Sequence, residues 1–208
     1  MKNHDTHPGP LLITGILAAI LWFVTFRVPI GNFWIKIAVS SSLLALSALW
    51  LSKGYEVTIR FNRRAFAVGL ASAAFLYAVF RIGQTVSQNI FPFAEQQIGG
   101  IYTIGEGTPL WVIALLLFFI TGPAEEFYWR GFLQHRLARR FGGWQGWLMG
   151  TGIYAGVHVF AWNFMLVGAA GVAGLFWGLL YWRLGNLAPV IISHAVWSVC
   201  IFAIFPTM

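Results

Sequence analysis

Charge is scarce in this sequence, and negative charge is scarcest. Only 9% of the 208 residues are Asp, Glu, Lys or Arg, and just six of those are acidic. A soluble domain carries about 25% charged residues. So little polar surface cannot coat a water-soluble globule, which excludes a cytosolic enzyme, a nucleic-acid-binding module and a disordered chain. Cysteine is nearly absent too. The single Cys200 excludes an intrachain disulfide and any Cys-rich zinc site. The first apolar run shows no small-x-small cleavage site before a polar stretch, so it reads as a retained span.

What is present is apolar: 59% hydrophobic residues, among them 19 Phe, 11 Trp and 6 Tyr, with a mean hydropathy of +0.74. The fold class this implies is all-α, a polytopic transmembrane helical bundle forming a single domain over residues 1–208. Seven spans are predicted, over 11–26, 33–51, 65–82, 109–129, 144–161, 164–182 and 187–206. An eighth element is possible within residues 83–108, a stretch rich in Gly, Gln, Ser and Thr. The net charge of +7 is spread between apolar runs, a pattern that anchors loops to anionic headgroups; the expected partner is the lipid bilayer, not nucleic acid.

Alternating sides from the N-terminus puts Lys2, Lys53, Arg60, Arg63, Arg64, Arg130, Arg136, Arg139, Arg140 and Arg183 together. Only Arg27, Lys36 and Arg81 fall opposite. By the positive-inside rule this predicts a cytoplasmic N-terminus, in a plasma or inner membrane. Small residues at helical spacing, Gly146 with Gly150, Gly152 with Gly156, and Ala170 with Gly174 and Gly178, predict close helix approach.

Ionisable groups inside a bilayer cost about 2.5–3.5 kcal/mol each on insertion scales, so each requires a reason. Four stand out: Glu125, Glu126, His158 and His194. Asp5, Glu56, Glu95 and Glu106 fall in the tail or loops, His4 and His7 in the tail, and His135 among arginines at a membrane edge. On a helix Glu126 shares a face with Arg130 and is expected to pair with it. Glu125 points about 100° away, with no basic residue at i+3 or i+4, and stays available as a base. Pro123 removes a backbone donor just before the pair and is expected to kink the helix.

If spans four and five form a hairpin turning at Gly142 and Gly143, Glu125 and His158 lie about 24–26 Å from the turn, at matching depth. Simple counting matches His194 less well; Ser198 follows it by one turn on the same face. Each group also has a structural reading, a histidine bonding a backbone carbonyl or a Glu–Arg staple, but together they favour a functional site.

Glu125-Glu126-x-x-x-Arg130 followed by Gly131 resembles the EExxxR signature of the CAAX-processing and bacteriocin-processing (CPBP, or Abi) intramembrane proteases. Tyr154-Ala155-Gly156-Val157-His158 is similar to that family's second motif, with Tyr where Phe is usual. His194-Ala195-Val196-Trp197-Ser198 is similar to the third, with Ser where Asn or Asp is usual. The resemblance covers about residues 108–206, a catalytic core behind N-terminal spans in residues 1–83.

It implies an intramembrane endopeptidase acting near the C-terminus of a membrane-associated or lipidated peptide or protein. Glu125 and His158 would activate water, His194 and Ser198 would stabilise the oxyanion, and Glu126, Arg130 and Tyr154 would support them. A carboxylate shielded from bulk water suits general-base work, and fixed donors in a low-dielectric site stabilise an oxyanion. No cofactor is favoured, although Glu125, His158 and His194 would make a His₂Glu zinc set with an open position. Two rivals stay open: a catalytically weak member serving as a scaffold, immunity or regulatory protein, and a small transporter using Glu125 as a proton site.

Overall fold

The computed structural model describes residues 8–51 and 57–205. Lys2, His4, Asp5, His7, Lys53 and Glu56 therefore lie outside the described residues. Within them the chain is helical, with no strand. In chain order the helices are α1 (Gly9–Arg27), α2 (Phe33–Leu51), α3 (Arg63–Ile90), α4 (Ala94–Tyr102), α5 (Leu110–Phe141), α6 (Gly143–Val157), α7 (Phe164–Leu184) and α8 (Ala188–Ile204). Five are long and apolar enough to cross a membrane: α1, α2, α3, α5 and α7. α8 is apolar but shorter, and α6 continues into a tight 3-10 turn over His158–Ala161. This is the expected all-α polytopic bundle, with every expected span represented by a helix.

Lengths differ from the sequence reading where a polar face hides the pattern. α3 runs on through Gln84, Ser87 and Asn89 to Ile90, and within it the Thr85 hydroxyl and the Asn89 amide donate to carbonyls one turn back. The remainder of residues 83–108 holds α4, tied to α7 by Asn163 Nδ2 donating to the Gln97 carbonyl at 2.7 Å and the Met165 N–H donating to Gln97 Oε1 at 3.1 Å. α5 does not stop near 129. At 32 residues it is about 48 Å long, against a hydrocarbon core of about 30 Å. Its far end exposes Arg139 and Arg140, and Gly142, at φ 107°, makes the turn into α6.

Two of the arginines expected at the membrane edge are instead inside the bundle: Arg130 is 2% exposed and Arg136 5%. Both sit on the inward face of α5 where it is still packed, and the phenyl ring of Phe132 lies under the Arg136 guanidinium at 4.8 Å.

The small-residue faces are partly as expected. A Cβ on Gly146 would meet the Ala138 backbone at 2.2 Å, and Gly174 packs against Thr151 and Tyr154. Gly152 and Gly156 have nothing within 4 Å of a built Cβ. They lie on the exposed side of α6, so their spacing marks no helix contact. The approach that matters most came without a spacing signal. A Cβ on Gly122 would lie 2.9 Å from the Leu117 carbonyl oxygen and 3.2 Å from Ala195 Cα, so α5 and α8 nearly touch beside His194.

Candidate active site

α5 carries the acidic pair on one α-helical turn, Gly122–Glu126, set between π-helical turns over Leu117–Thr121 and Phe127–Gln134. Pro123 has no N–H to give and its ring crowds the carbonyl four residues back. The wider turn just before it takes up that misfit, so the helix continues through Pro123. Such π segments are frequent at functional sites.

The two carboxylates face different partners. Glu126 is fully buried, and its Oε1 lies 2.7 Å from Arg130 Nη1 and 2.7 Å from His194 Nδ1. The Arg130 pair is the expected one. The bond to His194, which reaches across from α8, is additional: Glu126 fixes the histidine as well as neutralising the arginine. A carboxylate oxygen only accepts, so Nδ1 carries the hydrogen and Nε2 is the ring's remaining polar atom. The His194 ring stacks on Trp177 at 4.0 Å and 20°, and the Trp177 indole donates to Ser193 Oγ at 3.1 Å. Arg130 lies over the rings of Tyr154, at 4.6 Å, and Trp177, at 5.4 Å.

Glu125 is 6% exposed, and its Oε2 accepts a hydrogen bond from the Tyr154 hydroxyl at 3.2 Å. His158 sits at the end of α6, where the 3-10 turn begins. Its Nδ1 lies 2.8 Å from the Tyr154 carbonyl, which only accepts, so the hydrogen is on Nδ1. The Trp22 indole N–H points at His158 Nε2 from 3.4 Å. The hairpin depth match between Glu125 and His158 requires α5 to stay helical to the turn, and it does.

Glu125, Tyr154, His158, His194 and Ser198 line one cavity of about 120 Å³, walled by aromatic rings that include Phe26 and Trp177. His194, whose depth matches less well by simple counting, enters it where α8 comes in close at Gly122. Ser198 follows one turn later and is 2% exposed. A second, apolar cavity of about 430 Å³ lies between α3, α4, α7 and α8. It shares Ile101, Leu166, Ala169, Trp197 and Phe202 with the first.

The zinc alternative fits less well. Among the described residues no three His, Cys, Asp or Glu side chains are grouped to hold one metal ion. His135 Nδ1 lies 3.1 Å from the Tyr181 hydroxyl.

Trp22 and Trp177 were not legible as site residues. A buried indole needs a partner for its N–H, but with 11 tryptophans in the chain that signal points nowhere in particular.

Residues 107–200 match the family model described as Rce1-like, type II CAAX prenyl endopeptidase Rce1-like. The matched segment contains the whole of the Glu125–Glu126–Arg130, His158 and His194–Ser198 constellation. No curated protein and no solved structure matches the chain.

Proposed function

We propose that this integral membrane protein, whose residues 107–200 match the family model described as Rce1-like, hydrolyses a peptide bond inside the bilayer, at Glu125. The observation that carries the reading is the convergence of Glu125, His158 and His194 on one small buried cavity.

In the proposed reaction a water oxygen adds to the substrate carbonyl carbon while one of its protons passes to the Glu125 carboxylate. His158, held as the Nδ1–H tautomer, accepts the water's other hydrogen at Nε2, where water replaces the long Trp22 contact. The carbonyl π pair moves to oxygen, and the oxyanion is met by His194 Nε2–H. The imidazolium this requires is balanced by Glu126. The Ser198 hydroxyl adds a second donor. Collapse of the tetrahedral species breaks the C–N bond, and Glu125 returns its proton to the leaving amine. Water, not a metal, is the group Glu125 activates. One such oxyanion donor is worth roughly 3 kcal/mol in a dry site.

The proposed substrate is a lipidated peptide cut near its C-terminus. In support, the adjoining apolar cavity of about 430 Å³ falls within the range of small-ligand sites, and its shared wall would bring an alkyl or isoprenyl chain beside Glu125. The proposed orientation keeps the N-terminus cytoplasmic, in a plasma or inner membrane.

The test is cleavage of an internally quenched, farnesylated peptide ending in Cys-aliphatic-aliphatic-X by the full chain in nanodiscs. Wild type should cleave it, and Glu125→Gln and His158→Ala should each lose turnover while keeping the wild-type melting temperature. Undiminished turnover in either variant would sink the mechanism. An inactive wild type whose Ser198→Asn variant is equally inactive would favour a scaffold or regulatory role.

A further inference from the structure

Thr121 stands one turn ahead of Glu125 on α5, and the residue lines the same cavity. The residue is 3% exposed, and its hydroxyl has no hydrogen-bond partner among the described residues. A threonine inside a helix ordinarily gives its hydroxyl to a carbonyl one turn back. Thr14 does so here, onto the Pro10 carbonyl at 2.8 Å, and Ser42 onto Ala38 at 2.7 Å. Thr121 ends a π turn in which the Leu117 carbonyl takes the N–H of Gly122 instead. A buried hydroxyl without a partner is costly to fold, and such groups usually mark a water.

The cavity has space for one. A water needs about 10–15 Å³ of such volume and two to four polar partners. Residues four apart on a helix lie on the same face with Cβ atoms about 5–6 Å apart, so one water can reach both side chains with hydrogen bonds of about 2.8 Å.

We propose that Thr121 holds the nucleophilic water, an inference that rests on the endopeptidase reading of Glu125. The Thr121 O–H donates into one lone pair of the water. Glu125 takes one of its protons, and His158 Nε2 accepts the other hydrogen. One lone pair then remains, and it attacks the substrate carbonyl. Thr121 gains and loses no proton in the cycle; it orients the attacking oxygen.

Two variants of the full chain in nanodiscs test this. Thr121→Val replaces the hydroxyl with a methyl of similar size, and Thr121→Ser keeps it. On the quenched farnesylated peptide, Thr121→Val should lower kcat about tenfold with KM unchanged, and Thr121→Ser should stay within about twofold of wild type. Thr121→Val should melt with the wild type, since its packing volume is preserved, and Thr121→Ser, which loses a buried methyl, slightly below it. Wild-type kcat in Thr121→Val overturns the proposal, as does a loss of kcat that tracks a fall in melting temperature. A second measurement is independent of turnover: a structure at a resolution that shows waters. Ordered water within hydrogen-bond reach of both Thr121 Oγ and the Glu125 carboxylate is expected in wild type and not in Thr121→Val. No water there overturns the proposal even in an active enzyme. Water present in a wild type that leaves the peptide uncut removes the endopeptidase reading, and with it the catalytic role of Thr121.

Discussion

Glu126 Oε1 is the shared acceptor of Arg130 on its own helix and His194 on α8, at 2.7 Å from each. One oxygen thus joins the first and third motifs. Glu126→Ala would leave the Arg130 guanidinium buried without its counter-ion, a loss of about 3–5 kcal/mol for a broken buried pair. Glu126→Gln keeps the volume and an acceptor for His194 but removes the charge that balances an imidazolium. We expect a large fall in melting temperature for the alanine variant. For the glutamine variant we expect a smaller fall, with turnover reduced more than stability. Thermal unfolding and peptide cleavage on the same preparations separate the two.

The contact between α5 and α8 at Gly122 sets a second prediction. A methyl there must displace the Leu117 carbonyl or the Ala195 backbone, at about 1–3 kcal/mol for overpacking, and it would draw His194 away from Glu126. Gly156→Ala meets nothing and should be neutral, or stabilising by about 0.5–1 kcal/mol from helix propensity. The pair of melting temperatures, with cleavage rates, checks both signs.

Trp22 contacts His158 from a helix that lies outside the segment matched by the family. Trp22→Phe keeps an aromatic ring beside Trp129, which Trp22 meets edge-on at 5.4 Å, but removes the N–H and shrinks a fully buried side chain. A single neutral hydrogen bond is worth about 0.5–1.5 kcal/mol, so kcat should change by roughly two- to tenfold, alongside a fall in melting temperature from the smaller ring. A Trp22→Phe enzyme with wild-type kcat would show that this N–H has no part in setting the histidine.

Chelation addresses the zinc alternative directly. Purified protein treated with 1,10-phenanthroline and confirmed metal-free by mass spectrometry should cleave the farnesylated peptide at the untreated rate. Activity lost on treatment and regained with added zinc would establish the metal route instead.

The helices, and the residues that line the candidate site, were legible because both depend on local rules. Apolar runs have the length of a span, and Glu126 with Arg130 obeys the i, i+4 geometry of a single helix. What crosses between helices was not legible. Nothing local says that Glu126 also meets His194, that Trp22 faces His158, or that Gly122 and not Gly156 is where backbones touch. Periodicity fixes which residues share a face, not which helix that face meets. Arg130 and Arg136 illustrate the same limit: counted as edge charges, they are buried because α5 remains packed well past the point where its apolar run ends.

The wall shared by the two cavities, through Ile101, Leu166, Ala169, Trp197 and Phe202, has a kinetic consequence. In the proposed reaction a lipid-anchored chain arriving by that route would stay in the hydrocarbon phase throughout its approach to Glu125. Its encounter with the protein would then be a two-dimensional search. The governing concentration is the mole fraction of substrate in the bilayer, so diluting the membrane with inert lipid slows turnover at constant bulk concentration, and diluting the vesicles in buffer does not.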